Sequence, residues 1–141
     1  MFSYRYPRPM VTTDIVVFKK DAEGVKILLI ERGNPPFKGQ WALPGGFVDE
    51  NEALKTAALR ELKEETHLEG IELSQLHTFG NPGRDPRGHN ISIVYMGWLS
   101  DEKQQATAGD DAKKLAWFPI NHLPQLAFDH QEIISLAVKK L

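Results

Sequence analysis

Residues 41 to 66, WALPGGFVDENEALKTAALRELKEET, place a Gly-Gly pair ahead of a segment with helical periodicity and a crowd of glutamates. Counted at about 100° per residue from Leu54, positions Ala57, Ala58 and Leu62 share one side of a helix, the side that should pack inward. Glu61 and Glu65 fall in the middle of that stripe, about 20° either side of Leu54, and Glu64 borders it. Lys55, Thr56, Lys63 and Glu52 point the other way, as solvated residues should.

Two carboxylates one turn apart on an inward face repel each other and lose hydration, which is costly unless something compensates. The remedies are an ion pair, protonation or a hard divalent cation. Arg60 points well away from the Glu61/Glu65 direction, so it can orient one carboxylate but is poorly placed to neutralise all three. Mg²⁺ or Mn²⁺ is the better remedy, because hard cations take oxygen ligands and keep waters or substrate phosphates in their shell. The competing reading of RELKEE is a solvated Glu/Lys face with i,i+4 pairs. Taken alone, the helix leaves both open.

The rest of the chain narrows the classes. At 141 residues and 41% hydrophobic content, one domain with a sizeable core is expected, spanning residues 1 to 141. A formal charge of −2 carries no footprint for general nucleic-acid binding. The absence of cysteine excludes disulfides, thiolate ligands and a thiol nucleophile. The start, MFSYRYPRPMVTTD, has prolines and charges where a signal peptide needs an apolar run, and no stretch reaches membrane-spanning length. A cytoplasmic location with no membrane or nucleic-acid partner is expected.

Strand-like and helix-like segments alternate along the chain. TDIVVF (13 to 18) and VKILLIER (25 to 32) read as a hairpin across KKDAEG, WALPGG as a short strand ending in a turn, and 51 to 66 as the first helix. IELSQLHTFG and HNISIVYMGWL read as strands about the loop NPGRDPRG (81 to 88), then a polar loop follows. LAWFPI is a last strand and DHQEIISLAVKKL a closing helix, with Asp129 and Glu132 as a capping box. The sum is an α/β domain with a mixed sheet, layered helix, sheet, helix.

Gly46, five residues, Glu52, seven residues and RELKEETHL together resemble the Nudix box. That pattern reads Gly, five of any, Glu, seven of any, Arg, Glu, an aliphatic, any, Glu, Glu, any, Gly, an aliphatic. The match runs from Gly46 to Leu68 with one departure, His67 where the family has glycine. That position favours a left-handed backbone, which histidine visits more readily than most residues, so modest local strain and an intact ligand set are expected. The resemblance implies a Nudix-like α/β/α sandwich and shifts the balance to the metal reading. It implies Glu61, Glu64 and Glu65 as metal-binding carboxylates, with the Gly46 carbonyl as a further ligand and Mg²⁺ (or Mn²⁺) as cofactor. It also implies Arg60 as the residue that orients a glutamate, through Glu64 or Glu52. Glu52, on the opposite side from Glu65, is expected to be structural or to act behind the ligands, and Gly45 and Gly46 to let the chain turn tightly into the helix.

The implied chemistry is hydrolysis of a phosphoanhydride. Family members often take a general base from a loop outside the box; the acidic loop offers Asp110 and Asp111, of which Asp111 is chosen. NPGRDPRGHNISIVYMG, AGDDAKKLAWFPI and LAFDHQEII resemble the small ADP-ribose pyrophosphatases and the ADP-ribose-sensing Nudix regulators, so a small-molecule nucleotide is the expected partner.

Arg84 and Arg87 form a candidate anion clamp, against the reading in which Asp85 between them locks the loop. Phe37, Trp41 and Phe79 are the aromatics available to stack on adenine, Phe37 and Trp41 preferred. His89 is expected to pack or hydrogen-bond, and His130 to be a neighbour of the Asp129 cap. The regulators carry a DNA-binding helical domain after the Nudix part and often a degraded box. Here the chain ends at Leu141 and the box carboxylates and Arg60 are present, so hydrolysis of ADP-ribose to AMP and ribose 5-phosphate is expected. A sensing module and a clean-up hydrolase for oxidised nucleoside triphosphates are the alternatives. The resemblance also suggests a homodimer, with FSYRYPRPM reaching the partner.

Overall fold

Two runs of β-branched and aliphatic residues set the sheet, and the way they part shapes the cavity. In the computed structural model, which describes residues 3–100, 103–109 and 112–141, β1 (Met10–Asp21) and β2 (Gly24–Arg32) form the expected hairpin. They pair only near their turn, from Phe18 opposite Ile27 to Asp21 opposite Gly24. Beyond it they diverge, and residues 41–47 fill the gap as two strands rather than the one expected. β3 (Trp41–Ala42) pairs with β2, and β4 (Gly45–Phe47) pairs with β1. Leu43 and Pro44 cross from one to the other, and the Ile15 N–H donates to the Pro44 carbonyl at 2.9 Å.

On its other edge β1 runs parallel to β6 (Asn90–Trp98), which carries β5 (Ser74–Phe79) antiparallel beyond it. β7 (Ala112–Pro119) pairs antiparallel with β2, three residues earlier than LAWFPI suggested. The parallel β1/β6 pair makes the sheet mixed.

Side chains of period two divide the core between the two faces. Ile15, Val17 and Leu28 pack with Ala58 and Leu62 of α1 (Leu54–Thr66), while Val16, Phe18, Ile27 and Leu29 pack with Ile133, Ile134 and Ala137 of α2 (His130–Lys139). This is the expected helix, sheet, helix layering. Leu54, counted into the inward stripe, is instead 37% exposed, because it opens the helix beyond the packed turns. Among the described residues no helix is long and apolar enough to cross a membrane.

Candidate active site

A cavity of about 470 Å³ opens where β1 and β2 part. Thr12 and Asp14 of β1, Ile30 and Arg32 of β2, and Gly45 and Gly46 of β4 form its floor. Glu61, Glu64 and Glu65 of α1 line one wall; Arg84, Asp85, Arg87, Phe128 and His130 line another.

Glu65 is the buried carboxylate of the helix, 8% exposed, with Oε1 accepting the Gly45 N–H at 3.1 Å. Burial and the neighbouring charges of Glu61 and Asp14 outweigh that hydrogen bond and push its pKa up to about 8. Burial also raises Glu61, against the pull of Arg60. Glu64 lies on the exposed border. The glycines of the preceding strand serve close approach rather than a left-handed turn. A methyl on Gly46 would meet the Glu61 carboxylate at 2.5 Å, and one on Gly45 would collide with the Thr13 carbonyl.

Arg60 reaches further than its direction on the helix suggested. Its Nε and Nη2 clasp Glu52 at 2.7 and 2.9 Å, Nη2 also donates to the Phe47 carbonyl, and Nη1 donates to Glu61 at 3.0 Å and Glu64 at 3.2 Å. A long side chain swings its charged end around the helix, so the angle of its Cα undercounts its reach. The Arg60 fork, with the Asp49 N–H, holds Glu52 down to about 2, which makes Glu52 the anchor through which Arg60 spans two of the cluster's carboxylates.

The remaining wall is cationic. Arg84 is clamped by Asp129, and Arg87 by Asp85. Asp85, 4% exposed, accepts from the Arg87 backbone and guanidinium and from Asn90 Nδ2, which together overcome its burial and hold it near 2. Arg32 differs: its Nε donates to the Pro36 carbonyl at 2.7 Å, and among the described residues no carboxylate stands within ion-pair distance of it. Burial and the Arg87 charge press its pKa below the usual range. Arg32 and Arg87 lie 5.0 and 5.3 Å from the Phe128 ring centre.

The NUDIX domain family model matches residues 8–137. The chain belongs to the Nudix family. It is 49% identical over 130 residues to an ADP-ribose pyrophosphatase of Methanocaldococcus jannaschii, covering 92% of this chain and 73% of that protein. It is 35% identical to an ADPR responsive transcriptional repressor of Acinetobacter baylyi, covering 96% of this chain but 56% of the repressor. The NUDIX domain of Shewanella oneidensis NrtR, solved in complex with ADP ribose, superposes with a TM-score of 0.89 at 34% identity, covering 96% of this chain and 90% of that one.

Nudix hydrolases generally need a divalent metal. Among the described residues no three acidic or histidine side chains form a ready cage, since Arg60 holds Glu61 and Glu64. The donor chemistry nonetheless fits a hard cation: every candidate ligand is an oxygen, and the burial and neighbouring Glu61 and Asp14 charges that raise the Glu65 pKa are what a bound cation would offset.

His67, the departure from the Nudix box, closes α1 with φ 63° and ψ 11°, the left-handed conformation expected of it. Its Nδ1 lies 2.8 Å from both the carbonyl and the hydroxyl oxygen of Thr107, while the N–H groups of Thr107 and Gly109 donate to the Thr66 and Glu65 carbonyls. Asp110 and Asp111 lie outside the described residues.

Phe37 and Trp41 do not line the cavity. Phe37 packs edge-on against Phe128 and so supports the wall from behind, whereas Trp41 packs against Phe118 in the core on the α2 face. The aromatics that line it are Phe47 and Phe128. Phe79 packs against the α2 face, and His89 Nε2 meets the Gly80 carbonyl at 2.8 Å. Arg32, Asp14 and His130, with Phe47 and Phe128, are cavity residues that the sequence did not single out as site residues. Arg32 had a signal, a cation ending the apolar run ILLI; Asp14 and His130 become legible only once β1 and α2 meet.

Proposed function

We propose that this Nudix protein hydrolyses ADP-ribose to AMP and ribose 5-phosphate. The observation that carries this reading is Glu65: a buried carboxylate one turn from Glu61, held at a pKa of about 8, in a cavity whose opposite wall is built of arginines. The name of the Methanocaldococcus relative supports the substrate.

Glu61, Glu64, Glu65 and the Gly46 carbonyl would hold Mg²⁺, or Mn²⁺ in its place; when bound, the cation neutralises the diphosphate and acidifies the attacking water. Arg60 keeps Glu61 and Glu64 oriented through its fork on Glu52. Arg32, with no carboxylate of its own among the described residues, and the outer edge of Arg87 bind the anionic oxygens of the substrate. Water adds across the anhydride, one P–O–P bond breaks, and both products leave as phosphate monoesters. Asp111 is retained as the base that takes the water's proton. Tyr4, Tyr6 and Met10, all exposed, support a homodimer formed through the N-terminal segment, which light scattering on the purified chain would test.

The sensing alternative draws support from the likeness to NrtR and the Acinetobacter repressor. Product analysis with ADP-ribose, with and without Mg²⁺, separates the two. AMP forming from ADP-ribose in preference to cleavage of 8-oxo-dGTP, and abolished by EDTA, is the expected result. Binding without turnover would favour the sensor, and cleavage of 8-oxo-dGTP alone would overturn the substrate.

A further inference from the structure

We infer that His130 and Asp14 form a hydroxyl slot in the cavity wall, one that recognises a ribose hydroxyl of the ligand. The inference rests on the reading of an ADP-ribose-like ligand and names how its sugar is recognised.

The His130 side chain is 4% exposed, and its Nδ1 stands 3.0 Å from the Leu43 nitrogen. A backbone N–H can only donate, so Nδ1 is the acceptor and the ring proton sits on Nε2. Burial, which lowers the His130 pKa against the pull of Asp14, keeps the ring neutral. Nε2–H is therefore a fixed donor. The Asp14 Oδ1 atom facing it lies 3.7 Å away, too far for a hydrogen bond. Asp14 Oδ2 already accepts the Ser92 hydroxyl at 2.5 Å, so Oδ1 is the oxygen left to accept. Both residues line the cavity.

A single oxygen about 2.8 Å from each atom spans such a gap. It must accept from Nε2–H and donate to Oδ1, which a hydroxyl does. A phosphate oxygen has no proton to give and would meet the Asp14 charge, and a cation would meet the imidazole N–H. The slot therefore separates the sugar from the phosphates, which face Arg32 and the glutamate wall.

The test is isothermal calorimetry in EDTA, where no turnover occurs, comparing ADP-ribose with analogues lacking one hydroxyl on either ribose. One analogue should bind the wild-type chain at least about tenfold more weakly, the cost of leaving a buried donor and acceptor unpaired. In Asp14→Asn and in His130→Gln the same deletion should cost about threefold or less. Every analogue binding within threefold of ADP-ribose to the wild type, which needs no variant to fold, would overturn the slot. So would an undiminished penalty in both variants. ADP-ribose that binds with this pattern but yields no AMP with Mg²⁺ would sink the catalytic reading and leave the slot; no binding in EDTA would overturn the slot, and AMP formation with Mg²⁺ would then decide the catalytic reading by itself.

Discussion

Arg84 Nη2 stands 2.6 Å from Asp129 Oδ1 and its Nε 2.8 Å from Oδ2, with the two side chains only 7% and 15% exposed. This fork ties the loop of residues 81–88 to the start of α2 and uses both groups at once. Arg84 lines the cavity, but this pairing competes with the anion-binding role its loop suggested. Asp129 is withdrawn from the capping box, and it makes no side-chain cap on α2. A helix cap is worth about 1 kcal/mol, and a bidentate charged pair roughly doubles the strength of each hydrogen bond.

Removing one partner should therefore cost stability. Arg84→Ala leaves Asp129 charged and half-sealed, a loss of about 3 kcal/mol in denaturant unfolding. The double variant Arg84→Ala/Asp129→Ala should recover part of that loss. A single variant within 0.5 kcal/mol of wild type, with KM raised instead, would return Arg84 to the substrate.

Arg32 should behave in the opposite way. A hydrogen bond to a charged group is worth about 1.5–3 kcal/mol, so Arg32→Ala should raise KM for ADP-ribose by roughly 10- to 100-fold, beside a smaller stability loss from the partly exposed Pro36 carbonyl that it frees. Arg32→Lys should restore little, since an ammonium lacks both the planar fork and the ring contact with Phe128. Unchanged KM in steady-state assays would dismiss this contact.

Glu65 sets a pH dependence in the metal-free protein. Its folded pKa of about 8 exceeds the ordinary value of 4.5, so between those limits the folded chain holds a proton that the unfolded chain has released. Stability from this group is full below pH 4.5 and falls as pH rises towards 8. His130, lowered from 6.5 by burial, acts in the other sense below that pH, so the clean window is 6.5 to 8. There the metal-free chain should lose up to about 2 kcal/mol, at 1.36 kcal/mol per unit. Thermal unfolding in EDTA should show the slope, Glu65→Gln should flatten it, and Mg²⁺ should stabilise more at pH 8 than at pH 6.5. Glu65→Gln should also reduce turnover at least about a hundredfold; full Mg²⁺-dependent activity in that variant would dismiss the inward-carboxylate account.

What the sequence disclosed was what period and spacing encode. The runs DIVVF and ILLI alternate between the two faces, and the inward direction of Glu65 followed from counting around the helix. The two- and three-residue strands β3 and β4 are too short for any period to register, and they are what holds β1 and β2 apart. The cavity in that gap was correspondingly hidden. Asp14 read as part of a strand start and His130 as a cap's neighbour, because their meaning depends on the Leu43 N–H and on each other across 116 positions of chain. Side-chain reach was the other blind spot: Arg60 sits on the wrong side of the helix by its Cα, yet its guanidinium touches Glu61.

His67 combines a cost with a tether, and two substitutions separate them. A side chain at φ 63° is strained by about 1 kcal/mol relative to glycine, which is the residue of the Nudix pattern. Against this, Nδ1 holds Thr107 and thereby the segment whose backbone N–H groups close the end of α1. His67→Ala keeps the strain and loses the tether, so it should destabilise by about 1 kcal/mol. His67→Gly loses both and frees the unfolded chain, so it should lie within about 0.5 kcal/mol of wild type. The order, glycine more stable than alanine, is the decisive readout in urea unfolding. Alanine at or above wild type would mean that the Thr107 contact adds nothing and that the histidine is merely tolerated at the end of the helix.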